Sequence, residues 1–104
     1  MTSTKSAAQK RTKPLLLSDR TRAFERDWIR LDHSGRYDMN ALKSCMLLIV
    51  ANNGLPPEYK NHLLKGDWEG YWECHIGGDF LLIYELREQY VIFHRAGTHS
   101  ELFK

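Results

Sequence analysis

NHLLKGDWEGYWECHIGGDFLLIYELREQYVIFHRAGTHSELF, residues 61–103, is the stretch whose reading decides the fold. From about residue 68 its apolar residues follow the two-residue period of strands. Gly77-Gly78-Asp79 and Arg87-Glu88-Gln89 interrupt that pattern where hairpins would turn. Three strands are predicted, over residues 68–76, 80–86 and 90–96. The middle run, FLLIYEL, is apolar on both faces over most of its length, so it is expected at the centre of the sheet.

Upstream the period changes to that of a helix. Asp38 is a good N-cap, and Leu42, Cys45, Met46, Ile49 and Val50 give a buried face to a helix over residues 39–52, ending at Asn53-Gly54. Gly54-Leu55-Pro56-Pro57 makes a rigid exit that forbids further helix. His33-Ser34-Gly35-Arg36-Tyr37 reads as a loop. Before it, a helix is expected from Thr21, with Phe24, Trp28 and Leu31 as its buried stripe. Arg22, Arg26 and Arg30 line another face, which reads as solvated. Pro14-Leu15-Leu16-Leu17-Ser18 is the predicted first strand. The order β-α-α-β-β-β implies an α+β fold, with two helices on one face of an antiparallel sheet of about four strands. One domain is expected over residues 14–104, preceded by a flexible basic tail, residues 1–13.

Charge narrows the function classes. Lys5, Lys10, Arg11 and Lys13 give the tail +4, so the remaining residues sum to −2 although the chain carries +2. A body without broad positive charge argues against a strong nonspecific nucleic-acid binder. No apolar run is long enough to span a bilayer, and the N-terminus has no secretory h-region. Cys45 and Cys74 lie in apolar patterns and read as buried free thiols, which fits a reducing cytoplasm.

The strand-rich segment also holds four of the five histidines. Two hairpins bring His62, His75, Asp79, Arg95 and His99 toward one another, with Phe103 able to fold back. That set suits metal-free RNA cleavage. Histidine titrates near neutrality and can act as base or acid, arginine matches phosphate oxygens, and an aromatic ring can hold a base. Each residue also has an ordinary reading, as a surface histidine, a turn aspartate, a salt-bridge arginine or a core phenylalanine. Zinc on Cys74, His75, His94 and His99 has no supporting ligand spacing, and neighbours in a strand face opposite ways. His94 alternates away from Arg95 and stays outside the set. No phosphate-cradling glycine motif suggests a nucleotide cofactor.

Three motifs in order, YKNHLLKGDWEGY (59–71), CHIGGDFLLIY (74–84) and RAGTHSELF (95–103), resemble the YafQ branch of the RelE/ParE toxin superfamily. F-x-R-D (24–27) and the helix that starts D-M-N-x-L (38–42) fit more weakly. The resemblance implies a small α+β toxin paired with an antitoxin, acting as an endoribonuclease on messenger RNA in the ribosomal A site without a metal or other cofactor. Carried over by motif, His99 is expected as general acid, His75 with Asp79 as the base side, and Arg95 on the phosphate; base and acid could be exchanged. His62, Lys65 and Phe103 are expected to position the RNA. Trp72 and Phe80 depart from the family pattern, which commonly has a basic residue and a tryptophan there. Two other functions share the fold: a ParE-like topoisomerase inhibitor and a catalytically inactive antitoxin-binding module.

Overall fold

The computed structural model describes residues 13–103; the expected tail falls almost wholly outside them. The chain forms β1 (Leu17–Arg20), α1 (Arg22–Ser34), α2 (Met39–Ala51), β2 (His62–Leu63), β3 (Trp72–Gly77), β4 (Phe80–Leu86), β5 (Tyr90–Thr98) and α3 (His99–Leu102). Single 3-10 turns, Pro57–Tyr59 and Gly66–Trp68, flank β2.

Both long helices begin as their sequence dictates. The Thr21 hydroxyl accepts the Phe24 N–H at 3.0 Å, and the Asp38 carboxylate accepts the Ala41 N–H at 3.0 Å. Gly35 and Asn52 end them in the left-handed conformation. Phe24, Leu31, Leu42, Cys45 and Ile49 pack against Cys74, Leu82, Tyr84, Val91, Phe93 and Ala96 to make the main core.

The sheet has five strands in the order β1-β5-β4-β3-β2, so FLLIYEL is central. Two expectations are corrected. The sheet is not wholly antiparallel, because β1 runs parallel to β5, from Leu17 beside Tyr90 to Arg20 beside Phe93. It also starts three residues later than the apolar run. The Leu16 N–H is taken by the Val50 carbonyl at 2.9 Å, and the Pro14 carbonyl accepts from Asn52, so residues 14–16 rest on the end of α2. Only at Leu17 is the chain free to bond β5, through the Gln89 carbonyl. The third predicted strand continues to Thr98. The first starts at Trp72, since the backbone around Trp68 turns too tightly to pair.

β1 stops at Arg20, which leaves the last part of β5 without a strand neighbour on that edge. The start of α1 covers it. The Phe93 carbonyl accepts the Thr21 N–H at 3.1 Å, and the His94 carbonyl accepts the Thr21 hydroxyl at 2.9 Å. Further along, the Ala96 N–H donates to the Asp27 carboxylate at 3.0 Å. An acid in the buried stripe of α1 thus serves as the missing ladder acceptor. The sheet face away from the helices has its own smaller cluster: Leu81, Ile83 and Leu102, with Leu64, Trp68, Tyr71 and Phe103 around them.

Candidate active site

Alternation in β3 settles which groups can meet. Cys74 points to the helices, so Glu73 and His75 share the opposite face. β2 sets His62 directly beside Glu73. The fold fixes β2 there partly through Tyr84, whose hydroxyl donates to the Asn61 side chain. Burial raises the Tyr84 phenol above its ordinary value, so it stays a donor.

Glu73 is the centre of this group, with its side chain only 7% exposed. Its Oε1 lies 3.3 Å from His62 Nε2 and 3.6 Å from His75 Nε2. The ring centroids of the two histidines are 6.3 Å apart. The other nitrogen of His62, Nδ1, sits 2.7 Å from the Lys60 carbonyl. His62 therefore has an oxygen near each ring nitrogen, which fixes the plane of its ring.

The second group stands on β5 and α3. His75, Leu81 and Gly97 lie abreast across β3, β4 and β5, so two strand spacings, about 10 Å, separate the His75 backbone from the approach to His99. The Asp79 carboxylate, at the β3–β4 turn, accepts the His99 N–H at 3.1 Å. Thr98 and Glu101 form a capping box, with Thr98 N–H to Glu101 Oε1 at 2.8 Å and Glu101 N–H to Thr98 Oγ1 at 3.3 Å. These bonds hold His99 as the first residue of α3, exposed, with its ring 4.9 Å from that of Phe103. Gly97 is needed beside them: a Cβ there would lie 2.7 Å from Glu101 Oε1.

Two sequence-based pairings come out differently. His75 was expected with Asp79 on the base side, yet its carboxylate contact is Glu73, and Asp79 holds the His99 backbone. Arg95 was expected to hold phosphate, yet its Nε and Nη2 donate to Asp27 at 2.6 and 3.2 Å. Those bonds raise the guanidinium above its already high value and keep it charged, with Nη1 left over for other contacts. Arg30, expected on a solvated face, donates to Asp27 at 3.2 Å and to Glu101 at 2.8 Å, linking α1 to α3. Lys65 is exposed just after β2.

His94 sits at the register shift between β4 and β5, with its Nε2 3.0 Å from Glu85 and Tyr71 packed edge-on against its ring. The Arg87 hydrogen bond, then that of His94, lowers the Glu85 carboxyl below the usual range. The cysteines are free and buried, with sulfurs 3.4 Å apart. The hydrogen bond to Cys45 and burial hold the Cys74 thiol far above its ordinary value, so it is no nucleophile. Among the described residues no cluster of three or more His, Cys, Asp or Glu is disposed to hold a metal ion. Phe80 keeps the aromatic plug, buried with its ring 5.0 Å from that of Tyr37. Trp72 stacks on Tyr84 at 6.5 Å, on the side of the sheet away from Glu73.

Comparison with known proteins gives this geometry its context. A family model described as "Bacterial toxin of type II toxin-antitoxin system, YafQ" matches residues 17–104. The chain belongs to the YafQ toxin family. It is 42% identical to the "mRNA interferase toxin YafQ" of Escherichia coli over 76 residues, which is 72% of this chain and 83% of that protein. The toxin in the crystal structure of the E. coli DinJ-YafQ toxin-antitoxin complex superposes with a TM-score of 0.78 at 36% identity, covering 88% of this chain and all of that one. A metal-bound toxin from Helicobacter pylori superposes with a TM-score of 0.77 at 33% identity, covering 86% of this chain and all of that one.

Proposed function

We propose that this YafQ-family toxin is an mRNA interferase, an endoribonuclease that cuts messenger RNA in the ribosomal A site. One observation carries the reading: two histidines stand beside a shared buried carboxylate, and a third, fixed by Asp79, follows β5, the strand two spacings across the sheet from His75. A base on the 2′-hydroxyl and an acid on the leaving oxygen are the parts that phosphodiester cleavage needs. The relatives' name, mRNA interferase, supports it.

In the proposed reaction His75, backed by Glu73, takes the proton of the 2′-hydroxyl, and that oxygen attacks the adjacent phosphorus. The bond to the 5′-oxygen breaks as His99 gives that oxygen a proton. The products are a 2′,3′-cyclic phosphate and a 5′-hydroxyl. His62 holds Glu73 from the other side and is a positioning residue, as Asp79 is for His99. Arg95, through Nη1, and Lys65 contribute positive charge along the RNA, and Phe103 orients the base beside His99. Since base and acid are both side chains of this chain, we infer cleavage without a metal. The nearly neutral body supports delivery of the message by the ribosome, and with it a cytoplasmic site of action. The DinJ-YafQ complex supports an antitoxin as the protein partner.

The expected outcome is that His99→Ala and Asp79→Ala each abolish growth arrest while a cognate antitoxin still binds both proteins. Full toxicity of both variants in a growth assay would remove the assignment.

A further inference from the structure

A cavity of about 370 Å³ lies behind the β3–β4 turn, and nothing above uses it. Its walls include Arg36, Tyr37 and Asp38 from the α1–α2 loop, Asp79 and Phe80 around the turn, and Thr98 at the end of β5; the Asp38 carboxylate is engaged as the cap of α2. Two of these belong to the proposed chemistry: Asp79 bonds the His99 N–H, and Thr98 precedes His99. The cavity therefore begins where the group around His99 ends.

Its lining has a definite chemistry. Arg20, Arg30, Arg87 and Arg95 each hold a carboxylate. Among the described residues Arg22, Arg26 and Arg36 hold none, and of these three Arg36 is the one that lines the cavity, its guanidinium carbon 5.8 Å over the Tyr37 ring. Arg36 is exposed and Tyr37 half-buried, braced at 5.0 Å by the buried Phe80 ring. An available guanidinium beside a braced aromatic ring is the pairing that binds a nucleotide, with a charged fork for the phosphate and a flat face for the base.

We propose that this cavity is a second nucleotide subsite of the RNA substrate. Arg36 takes the phosphodiester adjoining the scissile one, and the Tyr37 ring packs against the neighbouring base. The strand then bends over the end of the sheet, from the His75 face past Asp79 to the α1–α2 loop. Arg36 adds a second cation one nucleotide away from Arg95, whose Nε and Nη2 are taken by Asp27. Arg36 here is a positioning residue, acting on binding rather than on proton transfer. This inference rests on the ribonuclease reading of the adjacent groups.

The test uses the purified full chain on ribosomes programmed with a short message, in single-turnover cleavage at varied toxin concentration. Arg36→Ala is expected to raise the half-saturating concentration about tenfold while leaving the maximal rate within about twofold, as loss of a phosphate contact predicts. Arg36→Lys, which keeps the charge and loses the fork, is expected in between. The same measurement on messages carrying a neutral methylphosphonate at the linkage before or after the cut separates the possible partners. On one of the two, wild type and Arg36→Ala should converge to within about twofold. Equal saturation by wild type and Arg36→Ala on the unmodified message overturns the subsite alone. So does a tenfold gap that persists on both modified messages, which would assign Arg36 to ribosomal contact. A wild-type protein that leaves every message whole overturns the ribonuclease reading and the subsite with it.

Discussion

At the scale of single residues, Glu73 decides how the histidines can act. It is buried, negatively charged when ionised, and shared by His62 and His75. A carboxylate so placed orients both rings. Glu73→Gln keeps the shape and removes the charge. The expected outcome is a fall of about 100-fold in the maximal cleavage rate, within the range of a lost acid–base component. Half-saturation by the message and antitoxin binding should stay near wild type. A variant that cleaves at the wild-type rate would reduce Glu73 to a packing residue. His62, His75, Asp79, Arg95, His99 and Phe103 could be singled out in the sequence because residue type and motif both mark them. Glu73 could not, since nothing but its alternation with Cys74 puts it on the histidine face, and an acid in a strand usually means solvent. The partner exchange among the carboxylates was also hidden. Asp79 is close to His75 in sequence, yet the sheet brings it to His99.

At the scale of elements, Asp27 joins α1 to the open edge of β5. Its carboxylate receives the Ala96 N–H, two donors of Arg95 and one of Arg30. Asp27→Ala leaves a ladder donor unbonded and two guanidinium groups without their anion. We expect a loss of about 2–3 kcal/mol, below the range for a fully buried pair because both arginines keep solvent access. For a domain of this size that corresponds to a fall in Tm of roughly 10–20 °C. Thermal unfolding measures it, and a shift under about 3 °C would mean that the edge is closed in some other way. The same element shows where boundaries escape sequence reading. Helix starts at Thr21 and Asp38 were legible because capping is local chemistry. The start of β1 was not, because competition from the Val50 carbonyl for the Leu16 N–H is a long-range fact. Nor does the hydrophobic pattern say that β1 runs parallel to its neighbour.

At the scale of the whole molecule, the α+β architecture was legible because the period changes from helical to strand-like once, at the Pro56-Pro57 exit. What pattern could not show is where the candidate groups lie. β2 sets His62 beside Glu73 and His75, and the β3–β4 turn sets Asp79 against the His99 N–H at the start of α3. These strands of the account meet in primer extension on a message translated in vitro, with the purified chain, with His99→Ala and with no toxin, each repeated in the presence of EDTA at a level that leaves ribosomal magnesium in excess but removes trace transition metals. The account predicts new 5′ ends within codons for the wild-type chain only, unchanged by EDTA and absent when ribosomes are omitted. An intact message in the presence of wild-type toxin, or equal cutting by His99→Ala, would contradict it.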